Sequence, residues 1–355
     1  NWVSFHNPPI TGPYAGNTQY HQVFITEVVP TALAHMVYQG PVRLTVSAVA
    51  FGKRGGPPVN GNAIAALNPT ECSIVQVNGA GNDVLGINTS GGGIFANSDG
   101  SECQGENTGL DTSGTNATIN SQPPWDINVV ATDNAYDDGV IPRVITGVTP
   151  LDNTDPLFDL QPPQCNSAPG GTTVADDGTY DPGTYYKISP SNGKTVLLRP
   201  GMYCVTYSGN NAINTAPSSV LTGTGVVIYV PFGEVNLQAG LVSLLAPSKT
   251  RNPECAGDNN SLLDSTSSVC HYLGMIFFLG RTNTRGISLS GNSSWTVEGT
   301  VYAPSSQLTL GGNGDWNLTG QVLADHVVAS GNGVVQVNYD PKKVYAPVPQ
   351  ISLRQ

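Results

Sequence analysis

The sequence predicts a mostly β chain: a parallel β-helix or solenoid-like body, a small N-terminal strand–helix–strand unit, and extended terminal arms. Three observations predict it. From about residue 60, short runs of β-branched and aromatic residues alternate with Gly/Asn/Ser corners. No helical periodicity survives there. Near the C-terminus, Trp295-Thr-Val297-Glu-Gly299-Thr-Val301-Tyr-Ala303 aligns with Trp316-Asn-Leu318-Thr-Gly320-Gln-Val322-Leu-Ala324, an offset of 21 residues. A period near 20 matches one coil of a parallel β-helix, which buries its inward residues only by stacking on its neighbours. A β-sandwich with a chance repeat is the alternative. Its hairpin chemistry exists at Asn60-Gly61, Asn78-Gly79 and Asn192-Gly193, but beside few well-formed strand pairs.

Residues 1–55 read as an N-terminal arm plus a small α/β unit. Asn7-Pro8-Pro9-Ile10-Thr11-Gly12-Pro13 is arm-like, and Gln22–Val29 reads as a strand. Pro30–Tyr38 reads as a short helix, with Pro30 in its first turn and Gly40 as its stop. Val42–Ala50 is a second strand. Residues 56–130 form a first β-rich, solenoid-like segment. Residues 131–183 are a Pro/Asp-rich excursion carrying Pro142, Pro150, Pro156, Pro162 and Pro163. In the C-terminal β-helix-like segment, 184–340, the strands grow richer in Val and Ile, as in Val226–Val230 and Met275–Leu279. Residues 341–355 are an extended C-terminal arm.

Lys and Arg total 14 against 25 Asp and Glu, a formal charge of −11, and charged residues are only 11% of the chain. Such a chain lacks the basic surface that displaces counterions from nucleic acid, so nucleic acid and anionic membrane are not expected partners. No apolar run approaches the roughly 20 residues that span a bilayer. With 39% hydrophobic residues the chain can bury a core.

Six cysteines, Cys72, Cys103, Cys165, Cys204, Cys255 and Cys270, include no CxxC pair and no His at zinc spacing. An even count in a polar chain reads as disulfides made in an oxidising compartment. Consecutive pairing is preferred, Cys72–Cys103, Cys165–Cys204 and Cys255–Cys270, because each bridge then staples a Gly/Asn-rich segment with few packing residues of its own.

Chemistry is sought and mostly not found. Asn153-Thr154-Asp155 and the Asp-Asp pairs Asp137-Asp138 and Asp176-Asp177 match fragments of polygalacturonase motifs, but Gly-His-Gly and Arg-Ile-Lys elements are lacking. His326 beside Asp325 reads as a coil residue rather than a base. No Gly-x-Ser-x-Gly elbow or Walker motif occurs, and Gly91-Gly92-Gly93 reads as a coil corner. Asp133, Asp137 and Asp138, and Asp176, Asp177 and Asp181, make calcium the one candidate ion, against solvated turns. No other cofactor and no catalytic residue is expected. Trp125, Trp295 and Trp316 are candidate stacking platforms for sugar rings.

Several segments resemble TadG-like pilus-assembly proteins of the bacterial tight-adherence (Tad/Flp) system: Pro8–Asn17, Val23–Val29, Thr45–Ala50, Ala66–Cys72, Gly91–Ser98, Arg199–Cys204 and Gly299–Pro304. The resemblance implies a bacterial envelope or extracellular protein of surface assembly and adherence, without catalytic residues to carry over. The expected function is a non-enzymatic exported structural protein, a pilus-like filament or surface-layer subunit, self-associating through open β edges and terminal arms. Val344, Val348, Ile351 and Leu353 are the candidate assembly arm, which could add to a neighbour as a strand or pack on its own chain. Other copies of the chain and surface glycans are the expected partners. The alternatives are a monomeric carbohydrate-binding adhesin or pilus accessory factor, and a β-helix polysaccharide lyase or hydrolase.

Overall fold

The structure, a computed structural model, describes the chain apart from residues 1, 18–19, 30–41, 54–55, 80–84, 104–108, 114–115, 133–134, 137–138, 142, 166–170, 238–239, 257–267, 291–294, 313–315, 332, 348–349 and 355. The described residues are mostly β, with short 3-10 turns and no α-helix. The helix expected at Pro30–Tyr38 lies outside the described residues. The chain divides into two compact units, Asn1–Gly56 with Pro347–Gln355, and Pro57–Ala346. The segments 56–130 and 184–340, separated in sequence by the Pro/Asp-rich interval, thus share one unit.

The smaller unit is a four-stranded antiparallel sheet in the order Trp2–His6, Tyr20–Val29, Val42–Lys53, Gln350–Arg354. Neither terminal segment is wholly an extended arm. Trp2–His6 alternates β-forming residues and pairs with Gln22–Thr26. Gln350–Arg354 closes the other edge, with Ile351 opposite Gly52 and Leu353 opposite Ala50. The turn-rich stretch that follows the first strand folds back over the sheet. Gln22 Oε1 accepts from the backbone N–H groups of Ile10 and Thr11, and its Nε2 donates to Thr11 Oγ1.

The larger unit holds one large parallel sheet of 25 strands. Its pairings resolve into three ladders. The first runs Gly178–Tyr180, Thr195–Leu198, Val220–Thr224, Leu241–Leu245 and the start of Trp295–Gly312. It continues through the start of Trp316–Gly331, Val334–Asn338, Leu85–Ser90, Ala117–Ser121 and Val140–Ile141. The second runs Gly183–Tyr185, Gly201–Val205, Val226–Val230, Met275–Leu279 and the middles of the two long strands. It ends Ile64–Ala66, Ile94–Ala96, Ile127–Val129, Val144–Thr146. The third runs from Thr173–Val174 through Lys187–Ile188, Ile213–Asn214, Val235–Leu237 and Ile287–Ser290. It passes the ends of the long strands to Val75–Gly79 and Leu110–Ser113.

Spatial order therefore departs from chain order. The strands of 64–146 stack beyond the last C-terminal strands, not before the strands of 173–205. The junction is parallel pairing of Val327–Gly331 with Val75–Gly79 and of Val334–Asn338 with Gly86–Ser90.

Period-two alternation explains the first and third ladders. Val196, Leu221, Val242, Leu318, Val337, Ile87 and Ile119 are buried in one continuous core, while Thr222, Ser243, Gln336, Asn88 and Asn120 face outward. The middle strands of the second ladder are buried on both faces, and so read as unbroken apolar runs, as in Met-Ile-Phe-Phe-Leu at 275–279. One face joins the main core. The other, with Ala65, Phe95, Val227, Phe278, Tyr302 and Leu323, forms a second core beneath Leu157, Tyr272 and their neighbours.

The sequence repeat is a register. Val297 lies opposite Leu318, Gly299 opposite Gly320, Val301 opposite Val322 and Ala303 opposite Ala324. Glycine is required there, because a Cβ on Gly320 would stand 1.9 Å from the carbonyl oxygen of Gly299.

Candidate assembly surfaces and their supports

The Pro/Asp-rich excursion connects opposite ends of the ladders, from Val144–Thr146 to Thr173–Val174. It is tied along the outer face of the second ladder at successive points. Leu151 N–H donates to Asn97 Oδ1 at 3.0 Å. Asp155 Oδ2 accepts from Arg281 Nε at 2.6 Å and from Tyr302 Oη at 2.7 Å. The same guanidinium donates to the carbonyls of Leu157 and Leu160. Tyr272 Oη donates to Gln161 O at 2.9 Å. Burial opposes the Arg281 charge, but its partnership with Asp155 outweighs that and raises its pKa. Burial, then the neighbouring Asp155 charge, pushes the Tyr302 phenol up. Asp155, the carboxylate of the Asn-Thr-Asp fragment, is thus a clamp residue.

The six cysteines form Cys72–Cys103, Cys165–Cys204 and Cys255–Cys270, with Cα atoms 5.5, 5.7 and 5.3 Å apart. Cys165–Cys204 fastens the far end of the crossing segment to the second ladder. Cys72–Cys103 joins the connections that leave neighbouring strands Ile64–Ala66 and Ile94–Ala96. Three disulfides suit an oxidising, non-cytoplasmic compartment.

Of the residues singled out as an assembly arm, Val344 is buried in the larger unit, and Val348 lies outside the described residues. Ile351 and Leu353 stand in the strand that completes the small sheet. Trp295 belongs to the main core, which removes it as a sugar platform. The Trp316 side chain lies outside the description, and Trp125 is exposed. Asp133, Asp137 and Asp138 also lie outside the described residues. Asp177 accepts from Thr195 N–H and Lys194, which hold its carboxyl below the usual range, and Asp181 pairs with Arg199. Among the described residues no group of three or more His, Cys, Asp or Glu side chains is placed to hold a metal ion.

Two charged clusters lie beside the ladders. Glu298 is buried and meets Arg251 at 2.6 Å and Lys343 at 2.8 Å. Burial acts to raise its pKa, but the hydrogen bonds from Arg251 and Lys343 prevail and hold it below the ordinary glutamate value. His326 lies between Asp325 (Nδ1 to Oδ2, 2.7 Å) and Glu71 (Nε2 to Oε2, 3.2 Å), where the C-terminal strands meet the N-terminal ones.

The ladders terminate openly. At one end Thr173–Val174, Gly178–Tyr180 and Gly183–Tyr185 each have a parallel partner on one side only among the described pairings. At the other end the same holds for Leu110–Ser113, Val140–Ile141 and Val144–Thr146. Side chains close the core at the first end. Tyr185 stacks on Tyr203 and meets Tyr180 edge-on, and Tyr203 Oη lies 2.7 Å from Tyr180 O. At the second end Arg143 grips Asp126 with two hydrogen bonds, which lower the Asp126 pKa. Tyrosine rings thus cover the core at the first end, while at the second Leu110 N–H is already bonded to Ala135 O. Sequence reasoning missed Arg281 and Tyr302 as clamp residues. The available signal was a lone Arg directly after the most apolar strand of the chain.

Compared with known proteins, the chain matches no family model, no curated protein and no solved structure.

Proposed function

We propose that the chain is a non-enzymatic structural subunit of a bacterial extracellular or cell-surface assembly, a pilus-like filament or surface layer that serves adherence. In this reading the large unit is a three-sided parallel β-helix, one ladder to each side, and copies add end to end. The observation that carries it is that, among the described residues, Thr173–Val174, Gly178–Tyr180 and Gly183–Tyr185 at one end, and Val140–Ile141 and Val144–Thr146 at the other, each have a strand partner on one side only. Unpaired edges are templates for another chain. A head-to-tail contact that does not close builds a fibre. The disulfides and the resemblance of Ala66–Cys72, Gly91–Ser98 and Gly299–Pro304 to exported TadG-like segments support the same reading. The test is negative-stain electron microscopy with sedimentation of the whole chain and of a Thr179→Lys/Thr184→Lys variant. Regular fibres or sheets that the edge lysines abolish support the reading. Dispersed particles at every concentration, or fibres indifferent to the lysines, overturn it.

A monomeric glycan-binding adhesin or accessory factor is the second reading. It is favoured by the exposed Trp125 and by aligned neutral side chains on the outer surface, as in the register Asn214, Asn236, Ser288, Thr309. Successive members stand about 4.8 Å apart, the spacing of neighbouring strands. Binding to a glycan panel by dispersed chain, lost on Trp125→Ala, would favour it.

A further inference from the structure

Among its described residues the small antiparallel unit buries no large hydrophobic side chain; Gln22 and Thr26 are buried there instead. Register sorts its residues onto two faces, since directly opposed residues share a face. On one face Val3, Ile25 and Val46 stand in a row, beside Phe5, Val23 and Ala48, with Leu44 opposite Glu27. The other face carries Trp2, Thr26 and Thr45, then Ser4, Phe24 and Ser47, then His6, Gln22 and Val49. On that second face Ile10 and Thr11 are held by Gln22 and Arg43 lies over Trp2, while Thr45 and Ser47 stay exposed. The first face carries most of the exposed apolar surface: Val3 is 67% exposed, Phe5, stacked on His21, 62%, Leu44 56%, Val46 53% and Ile25 48%.

An antiparallel sheet of this size needs an apolar face packed against something. Those five side chains offer roughly 500 Å² per copy and roughly 1,000 Å² for a pair, the lower bound for a biological interface. Charge selects the occupant. The chain carries a net −11, yet among the described residues the only acidic one on this face is Glu27, at its end. A largely apolar sheet face is complementary to itself, and two such faces pack about 10 Å apart.

We propose that the Val3/Phe5/Ile25/Leu44/Val46 face is a two-fold interface with a second copy of this chain. The pairing is independent of end-to-end addition through the ladders. The test is sedimentation equilibrium of the whole chain from 1 to 100 μM, with an Ile25→Thr/Val46→Thr variant that keeps β-branched residues in the strands. The expected result is a discrete dimer whose dissociation constant rises at least tenfold in the variant. Cysteine cross-linking provides a second readout: Ala48→Cys is expected to give a disulfide-linked dimer, and Ser47→Cys, on the opposite face, is not. A monomer throughout the range overturns the proposal, as does equal cross-linking at both positions. Open-ended oligomers that ignore the Thr substitutions overturn it while leaving edge addition standing. A monomer that floats with lipid vesicles assigns the face to a membrane surface instead and overturns it as well.

Discussion

Ser90 donates its hydroxyl hydrogen to Asn338 Oδ1 across 2.6 Å, although 248 residues separate the two in the chain. The bond marks the line where the beginning and the end of the large unit are joined. Asn338 also donates to Asn317 at 2.6 Å, so one early strand and two consecutive C-terminal strands are linked on the outer surface.

The buried counterpart of that line is Ile87, opposite Val335. Ile87→Ala removes a fully buried side chain where the two parts of the chain meet and is expected to cost about 3 kcal/mol. Urea denaturation checks it. Loss of the same size with an unchanged m-value indicates one cooperative unit across the junction, whereas two separate transitions would show that the junction is not a cooperative contact.

Gly320→Val places side-chain atoms into the Gly299 carbonyl and forces two parallel strands apart. The expected outcome is a loss of at least about 2 kcal/mol, with Gly320→Ala also destabilising. Thermal melts of both variants beside Thr319→Ala, a neighbour with outward exposure, give the measurement.

Asp155→Asn leaves Arg281 without its countercharge and weakens the tie of the crossing segment. The pair is partly exposed, so the expected cost is about 2 kcal/mol, below that of a fully buried pair. Limited proteolysis should then cut within 147–164 faster while the Cys165–Cys204 bridge holds the far end. Unchanged cleavage would mean the segment is held by its apolar side chains alone.

Acid should weaken the fold through Glu298. Its carboxyl is held below the ordinary glutamate value of 4.5 in the folded chain, so the unfolded chain takes up the proton first. The contribution is therefore present above about pH 4.5 and is lost as pH falls through the lower folded value. Melting temperatures from pH 7 to 3 are expected to decline below that point, and Glu298→Gln is expected to flatten the decline while lowering stability at pH 7.

The parts legible in the sequence were those written locally. The spacing of Trp295–Ala303 and Trp316–Ala324 became a parallel register because stacked strands place equivalent residues opposite each other. Apolar runs such as Met275–Leu279 marked strands covered on both faces. Partner choice over long separations was not legible. Nothing in Leu85–Ser90 says that it lies beside Val334–Asn338, because backbone hydrogen bonds between strands carry no residue code. The terminal strands were missed for a related reason. Trp2–His6 and Gln350–Arg354 are five residues each, and their strand character comes from the sheet they join. Of the candidate assembly surfaces, open strand edges were an expectation drawn from the repeat, whereas the apolar face of the small sheet needed the antiparallel register to separate its two sides.

The displaced order of the strands also governs when the molecule can fold. Ile64–Ala66, Val75–Gly79 and Leu85–Ser90 emerge early, but their partners on one side lie at 322–338. A chain emerging N-terminus first therefore holds these strands half-paired until nearly all of it has appeared. Long-range closure of this kind slows folding. It also makes completion of the C-terminal segment the event that commits the early strands, so a chain cut short before residue 316 would leave an apolar edge at its start as well as one at its cut end.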